Sequence, residues 1–267
     1  MPLHPPSVDV ISWTLLPLLL PLGLLAGLLS GLLGIGGGLV FSPLLLLLGL
    51  SPHAALATST LAIVPTTCGG TWAHLRNRTL PWRGGAAIAL GAALGGGFFG
   101  RLGMGIEGWL LLALQAGMYG LLSLVIRSRP DLPDGAPPPR RPGDLAGLAL
   151  VGLVAGLASG LLGVGGGLVM VPLMVRLLAV PVHLAIRFST LAVFAAAATA
   201  SVALVGDGRA LLPVGLLLGC TAAVGARWSA RRLSRVPERQ LVWLLRAFTL
   251  FLALDSGIRA VQALMAA

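Results

Sequence analysis

A chain of 267 residues with 57% hydrophobic and 10% charged types lies far from the composition of a soluble globular domain. Its net charge of +10 comes from arginine alone, since the chain holds no lysine, and most of those arginines fall between apolar segments. Cationic residues placed so report the orientation of membrane helices, and no soluble module remains to bind nucleic acid.

The N-terminal Met1–Pro6 carries no positive charge ahead of the apolar Trp13–Leu33, and no clear small-residue cleavage site follows. No removable signal peptide is therefore expected. Five apolar segments then follow at Ser12–Leu33, Gly37–Leu50, His53–Leu75, Arg83–Leu102 and Glu107–Ile126. Several are long enough for the ~20 residues that cross a bilayer as helix. Runs such as Leu44–Leu48 and Ala195–Ala198 lack the alternation of a β-barrel strand, so helices are expected. The stretch Arg127–Arg141, with Pro137-Pro138-Pro139, has the composition of a loop. Five further segments follow at Asp144–Leu162, Gly166–Val180, His183–Val205, Ala210–Trp228 and Leu241–Leu264.

The second series restates the first. Gly27-Leu-Leu-Ser30-Gly-Leu-Leu-Gly34-Ile-Gly36-Gly37-Gly38-Leu39-Val40 returns as Gly156-Leu-Ala-Ser159-Gly-Leu-Leu-Gly163-Val-Gly165-Gly166-Gly167-Leu168-Val169. Pro43 matches Pro172, Ser51-Pro52-His53 matches Val180-Pro181-Val182-His183 after one insertion, and Ser59-Thr60-Leu61-Ala62 matches Ser189-Thr190-Leu191-Ala192. Gly91 and Gly97 pair with Gly219 and Gly225. The expected fold is thus an all-α polytopic membrane protein of two homologous repeats, at 12–126 and 144–264, joined by a cytoplasmic loop at 127–143. Eight to ten transmembrane segments are expected, including one short glycine-broken segment in each half.

That short segment fixes the relation between the halves. Leu39–Leu50 spans only ~18 Å as helix against a hydrocarbon core of ~30 Å. Five crossings per half make the repeats inverted, and four make them parallel. In the five-crossing arrangement twelve arginines, in loops 76–83, 127–141 and 227–239, share one side, leaving Arg101, Arg209 and Arg259 opposite. With four crossings the same loops split seven against five. Positive-inside bias favours inverted repeats with both termini outside.

Glycine-rich backbone is tolerated at membrane depth where it is buried in protein or lines a wet cavity. A helix restarting after the break offers free N–H groups and partial positive charge, which suits an anion. Gly36, Gly37 and Gly38, with Gly165, Gly166 and Gly167, are therefore candidate binding residues. Close helix packing through small residues is the alternative. No Lys-Ser/Thr follows either run, which excludes a nucleotide loop. Thr58, Ser59 and Thr60, with Ser189 and Thr190, are candidate hydroxyl ligands, or else bond their own helices. His53 and His183 are candidate proton relays or interfacial residues. Arg187, inside an apolar segment where the first half has Ala57 or Thr58, either attracts the anion or snorkels to the interface. Arg176 and Arg246 are expected to snorkel. Asp255 and Arg259 should pair one turn apart. Cys68 and Cys220 are expected to be buried thiols. No cofactor or metal site is expected, and no paired carboxylates point to an enzyme.

On these residues the chain resembles the sulfite exporter TauE/SafE family of bacterial membrane proteins. The resemblance rests on Gly-Leu-Leu-Gly34-Ile-Gly-Gly-Gly38-Leu-Val-Phe-Ser-Pro43, on Ala57-Thr-Ser59-Thr-Leu, and on their counterparts. It implies an inner-membrane transporter of small anions such as sulfite, organosulfonates or carboxylates, driven by an ion gradient, with export as the direction. Family members often carry Gly-Thr-Ser in the third segment. Here Ala57-Thr58-Ser59 and Arg187-Phe188-Ser189 stand instead, so the arginine departs from the pattern. A non-transporting membrane subunit that anchors a partner complex is the alternative. Substrate, coupling ion and oligomeric state are not encoded legibly.

Overall fold

The computed structural model describes residues 16–78, 80–125, 145–206, 208, 210–233 and 237–265. The loop expected at 127–143 lies outside them. Ten helices account for 86% of the described residues, and none of these residues forms a strand, which disposes of the barrel. They are α1 Leu16–Leu33, α2 Gly38–Leu47, α3 Pro52–Arg76, α4 Trp82–Gly103, α5 Gly108–Val125, α6 Leu145–Leu162, α7 Gly167–Leu177, α8 Val182–Gly206, α9 Leu212–Ala230 and α10 Glu238–Met265.

Local chemistry sets several boundaries. Ser51 caps α3 by accepting from the Ala54 N–H at 3.4 Å, with Pro52 in the first turn, where its missing N–H costs nothing. Between α1 and α2, Gly34, Gly36 and Gly37 take φ of 68°, 80° and 81°; between α6 and α7, Gly163, Gly165 and Gly166 take 62°, 91° and 62°. Three left-handed residues in four are accessible at little cost only to glycine. The runs are genuine helix breaks.

Close glycine contacts give the helices their order and direction. Along α1, Gly23, Gly27 and Gly31 meet Thr221, Ala222 and Ser229 of α9 in turn, so the two run parallel. Gly215 and Gly219 of α9 meet Thr58 and Ala62 of α3, again parallel. These three form one layer. In the other, Gly91, Gly95 and Gly103 of α4 meet Ala149, Leu153 and Leu161 of α6, while Gly84, Gly96 and Gly100 meet Phe188, Ala196 and Ala200 of α8. The layers face each other through α3 and α8, which run antiparallel: Gly34 lies against Ile186, Gly163 against Leu56, and Gly70 against Thr190. Helix α2 packs on α3, α7 on α8, and α5 on α10.

Helices α4, α6, α8 and α9 are long and apolar enough to cross a membrane. The outer surface is apolar as well, with Leu90, Leu94 and Phe98 exposed along α4 and Phe251, Leu254 and Ile258 along α10. Such a surface suits lipid rather than water, and the chain is a multi-pass membrane protein. Cys68 and Cys220 lie exposed on it instead of being buried, because a lipid-facing position suits a small hydrophobe as well as a core does. Asp255 and Arg259 form the expected pair at 3.0 Å, and Arg176 and Arg246 are exposed.

Candidate functional site at the two helix breaks

The breaks touch each other inside the bundle. A methyl on Gly167 would lie 2.2 Å from the Gly34 carbonyl oxygen, and one on Gly38 would lie 2.9 Å from the Val164 carbonyl. Gly36 and Gly165 both abut the side chains of Ile63 and Val193. Gly37 and Gly166 form the left-handed N-caps of α2 and α7. All six candidate glycines thus belong to one buried junction.

Two seryl hydroxyls hold the junction across the halves. Ser189 donates to the Gly34 carbonyl at 2.7 Å, and Ser59 lies 3.2 Å from both the Gly163 and the Gly38 carbonyls. Each serine is fully buried and grips the break contributed by the other half. The remaining hydroxyl candidates take different partners. Thr60 and Thr190 donate to their own helices at Leu56 and Ile186. Thr58 accepts from the Leu211 N–H at 2.9 Å and so anchors the start of α9. All five candidates hold protein groups in this conformation. Ser189→Ala should cost about 1–3 kcal/mol, because it strands a buried carbonyl, and Ser59→Ala a similar amount. Denaturation in detergent measures this, and unchanged stability would dismiss the clamp.

A small recess of about 20 Å³, room for about one water, reaches one break from one end of the bundle. Its lining includes His53, Leu56, Thr60, Met104, Gly163 and Leu204. His53 Nε2 lies 2.8 Å from the Ile106 carbonyl; a carbonyl only accepts, so Nε2 carries the proton. His183 begins the antiparallel α8 and therefore lies at the opposite end, so the two histidines do not form one relay.

That opposite end is basic. Helices α3 and α9 finish there while α4 and α8 start there, gathering Arg76, Arg78, Arg83, Arg187, Arg227, Arg231 and Arg232. Arg232 stacks 3.7 Å over the Trp228 ring. Arg187 is half-buried and acts electrostatically on His74, itself buried near the end of α3. Arg187 is therefore distant from the recess.

A family model described as sulfite exporter TauE/SafE matches residues 19–256. The chain belongs to that family. Curated relatives include a "Probable membrane transporter protein" of Xylella fastidiosa strain 9a5c, 34% identical over 166 residues. That match takes in 60% of this chain and spans 63% of the relative's length. The "Probable membrane transporter protein YunE" of Bacillus subtilis strain 168 is 26% identical over 243 residues, covering 80% of this chain and 87% of the relative. No solved structure matches.

This TauE/SafE protein also carries polar groups that sequence reasoning passed over. Among the described residues, the hydroxyls of Ser42, Thr71, Ser159 and Ser201 are buried without a hydrogen-bond partner. Each such group costs roughly 1–3 kcal/mol, which a bound polar solute would recover. One signal was available for two of them. Thr71 follows Ser59, and Ser201 follows Ser189, by the same interval in the two matching segments.

Proposed function

We propose that this protein is a secondary transporter that exports small anions, such as sulfite, organosulfonates or short carboxylates, across a bacterial plasma membrane. The carrying observation is the interlocked pair of glycine breaks, bonded across the halves, with a recess reaching the Gly163 break from one end. Two such breaks parting and closing again would supply the movement that an alternating-access cycle needs.

The halves act as inverted repeats. Support comes from the two layers: exchanging α1 with α6, α3 with α8 and α4 with α9 turns one layer's contacts into the other's, and α3 opposes α8 in direction. The basic end faces the cytoplasm, following the positive-inside bias, and the recess then faces outward. Helix starts at Gly38 and Gly167 supply positive potential to the anion, and Arg187 draws anions toward the cytoplasmic mouth. For the anion to meet Ser59 and Ser189, those hydroxyls must exchange their grip on the breaks, which couples binding to movement of one half against the other. The family and the relatives' names support a transporter over an enzyme or a passive anchor.

The test is flux in reconstituted vesicles. Sulfite, thiosulfate, sulfoacetate and acetate are offered with and without a pH gradient or membrane potential, beside a thermal-shift screen of the same anions. Saturable flux of at least one anion, responding to an imposed gradient, is expected. Absence of flux and of stabilisation for every anion would sink the transport reading.

A further inference from the structure

The outer side of the seam between α3 and α9 is ordered by chemistry along its length. The two helices run parallel, and a methyl on Gly69 would fall 2.5 Å from the Ala223 carbonyl oxygen. Gly215, Gly219 and Ala223 turn α9 toward α3, while Thr221, Ala222 and Ser229 turn it toward α1. The face left over carries Leu216, Cys220, Arg227, Trp228 and Arg231, all exposed. On α3, Leu61 and Pro65 pack on Gly215 and Gly219. Cys68, Trp72 and Arg76 continue that stripe at helical spacing and are likewise exposed.

Heights along the seam follow from the contact of Gly69 with Ala223. Cys68, Cys220 and Leu216 precede it. Trp72, Arg227 and Trp228 come three to five residues beyond it toward the basic end, and Arg76 and Arg231 come seven and eight beyond. The seam therefore presents apolar groups first, then indoles, then guanidinium groups about one turn farther out. Among the described residues no carboxylate pairs with Arg76, Arg227 or Arg231. The packing itself does not call for these groups. Helices α8 and α4 pack in the other layer, and at the interval that carries Ser59 to Ser189, Trp72 and Arg76 become Val202 and Gly206.

We propose that this seam is a binding site for an anionic phospholipid. Arg76, Arg227 and Arg231 hold its phosphodiester, Trp72 and Trp228 flank its glycerol region, and an acyl chain lies along Cys68, Cys220 and Leu216. Each tier matches one part of such a lipid. Guanidinium groups bind phosphate oxygens through paired N–H donors, and indoles favour the boundary between membrane and water. Clustered arginines at a membrane face favour anionic lipid by about fivefold in affinity for each residue. A soluble anion would use the arginines and leave the indoles and the apolar tier without a role, so lipid is the occupant. The site faces away from the glycine junction and stands independently of the transport reading.

The test uses the full chain in neutral detergent, titrated with phosphatidylglycerol or phosphatidylcholine whose brominated acyl chains quench nearby indoles. Inorganic phosphate is the competing free anion. Phosphatidylglycerol should quench at concentrations at least about tenfold below phosphatidylcholine, and raised salt should narrow the gap. Arg76→Gln combined with Arg227→Gln should remove most of the preference, whereas the paired lysine changes should retain most of it. Arg101→Gln, at the recess end, should leave it unchanged. Trp72→Phe combined with Trp228→Phe should remove the extra quenching by phosphatidylglycerol, and Trp109→Phe should not. Equal quenching by the two lipids, or a preference that survives the paired glutamine changes, would overturn the site. Displacement of the brominated lipid by millimolar phosphate would reassign the arginines to a free anion and overturn the lipid. The two-lipid comparison is made on the unaltered protein, so it decides the matter even where a variant folds poorly.

Discussion

Gly167→Ala is expected to abolish anion flux and to lower the stability of the folded protein by about 1–3 kcal/mol. Glycine inside a helix is ordinarily worse than alanine by up to ~1 kcal/mol, so substitution at an ordinary helix start would stabilise. Here the added methyl would lie 2.2 Å from the Gly34 carbonyl oxygen, 2.7 Å from the Ile35 Cα and 2.9 Å from the Ser189 hydroxyl. Two of these atoms belong to the backbone of the other break and the third to its clamp, so relief requires the halves to separate. Gly38→Ala should behave alike, because its methyl would meet Val164 backbone at 2.9 Å. Thermal melting in detergent and vesicle flux measure the two effects. A Gly167→Ala protein with unaltered melting and flux would show that the breaks do not need contact at this distance.

Gly27→Leu is expected to leave little folded protein in the membrane. Even a methyl at Gly27 would fall 1.9 Å from the Ala222 carbonyl oxygen, so α1 and α9 pack backbone to backbone, as small residues permit in lipid. Gly27→Ala alone should cost about 1–3 kcal/mol, and leucine considerably more. Gly117 provides the control: nothing lies within 4 Å of a methyl placed there, so Gly117→Leu should be neutral or slightly stabilising. Membrane-fraction yield and monodispersity after solubilisation distinguish the two. Equal yields from Gly27→Leu and Gly117→Leu would refute backbone-close packing of α1 on α9.

The helices were legible because hydropathy and glycine placement report them directly. The expected His53–Leu75 became Pro52–Arg76, and Arg83–Leu102 became Trp82–Gly103. The glycine motif combines close packing and chain unwinding at different positions. Its first residue, Gly27 or Gly156, serves close packing, while Gly34 through Gly37 unwind the chain. The hydroxyl roles were not legible. Ser189 finds its acceptor 155 residues earlier in the chain, and nothing local marks which hydroxyls bond their own helix. The recess was equally hidden, since Met104, Gly163 and Leu204 converge from α4's end, a break and α8.

The crossed serine clamps bear on how the chain is made. The first break leaves the ribosome with its donor, Ser189, still 155 residues from synthesis. At about 5–20 residues per second that interval lasts roughly 8–30 s. Throughout it, the Gly34 carbonyl and the α1 face that seats α9 must be sheltered by the insertion machinery or by water. The amino-terminal half is therefore a client awaiting its other half, and assembly is decided late, when α8 and α9 arrive.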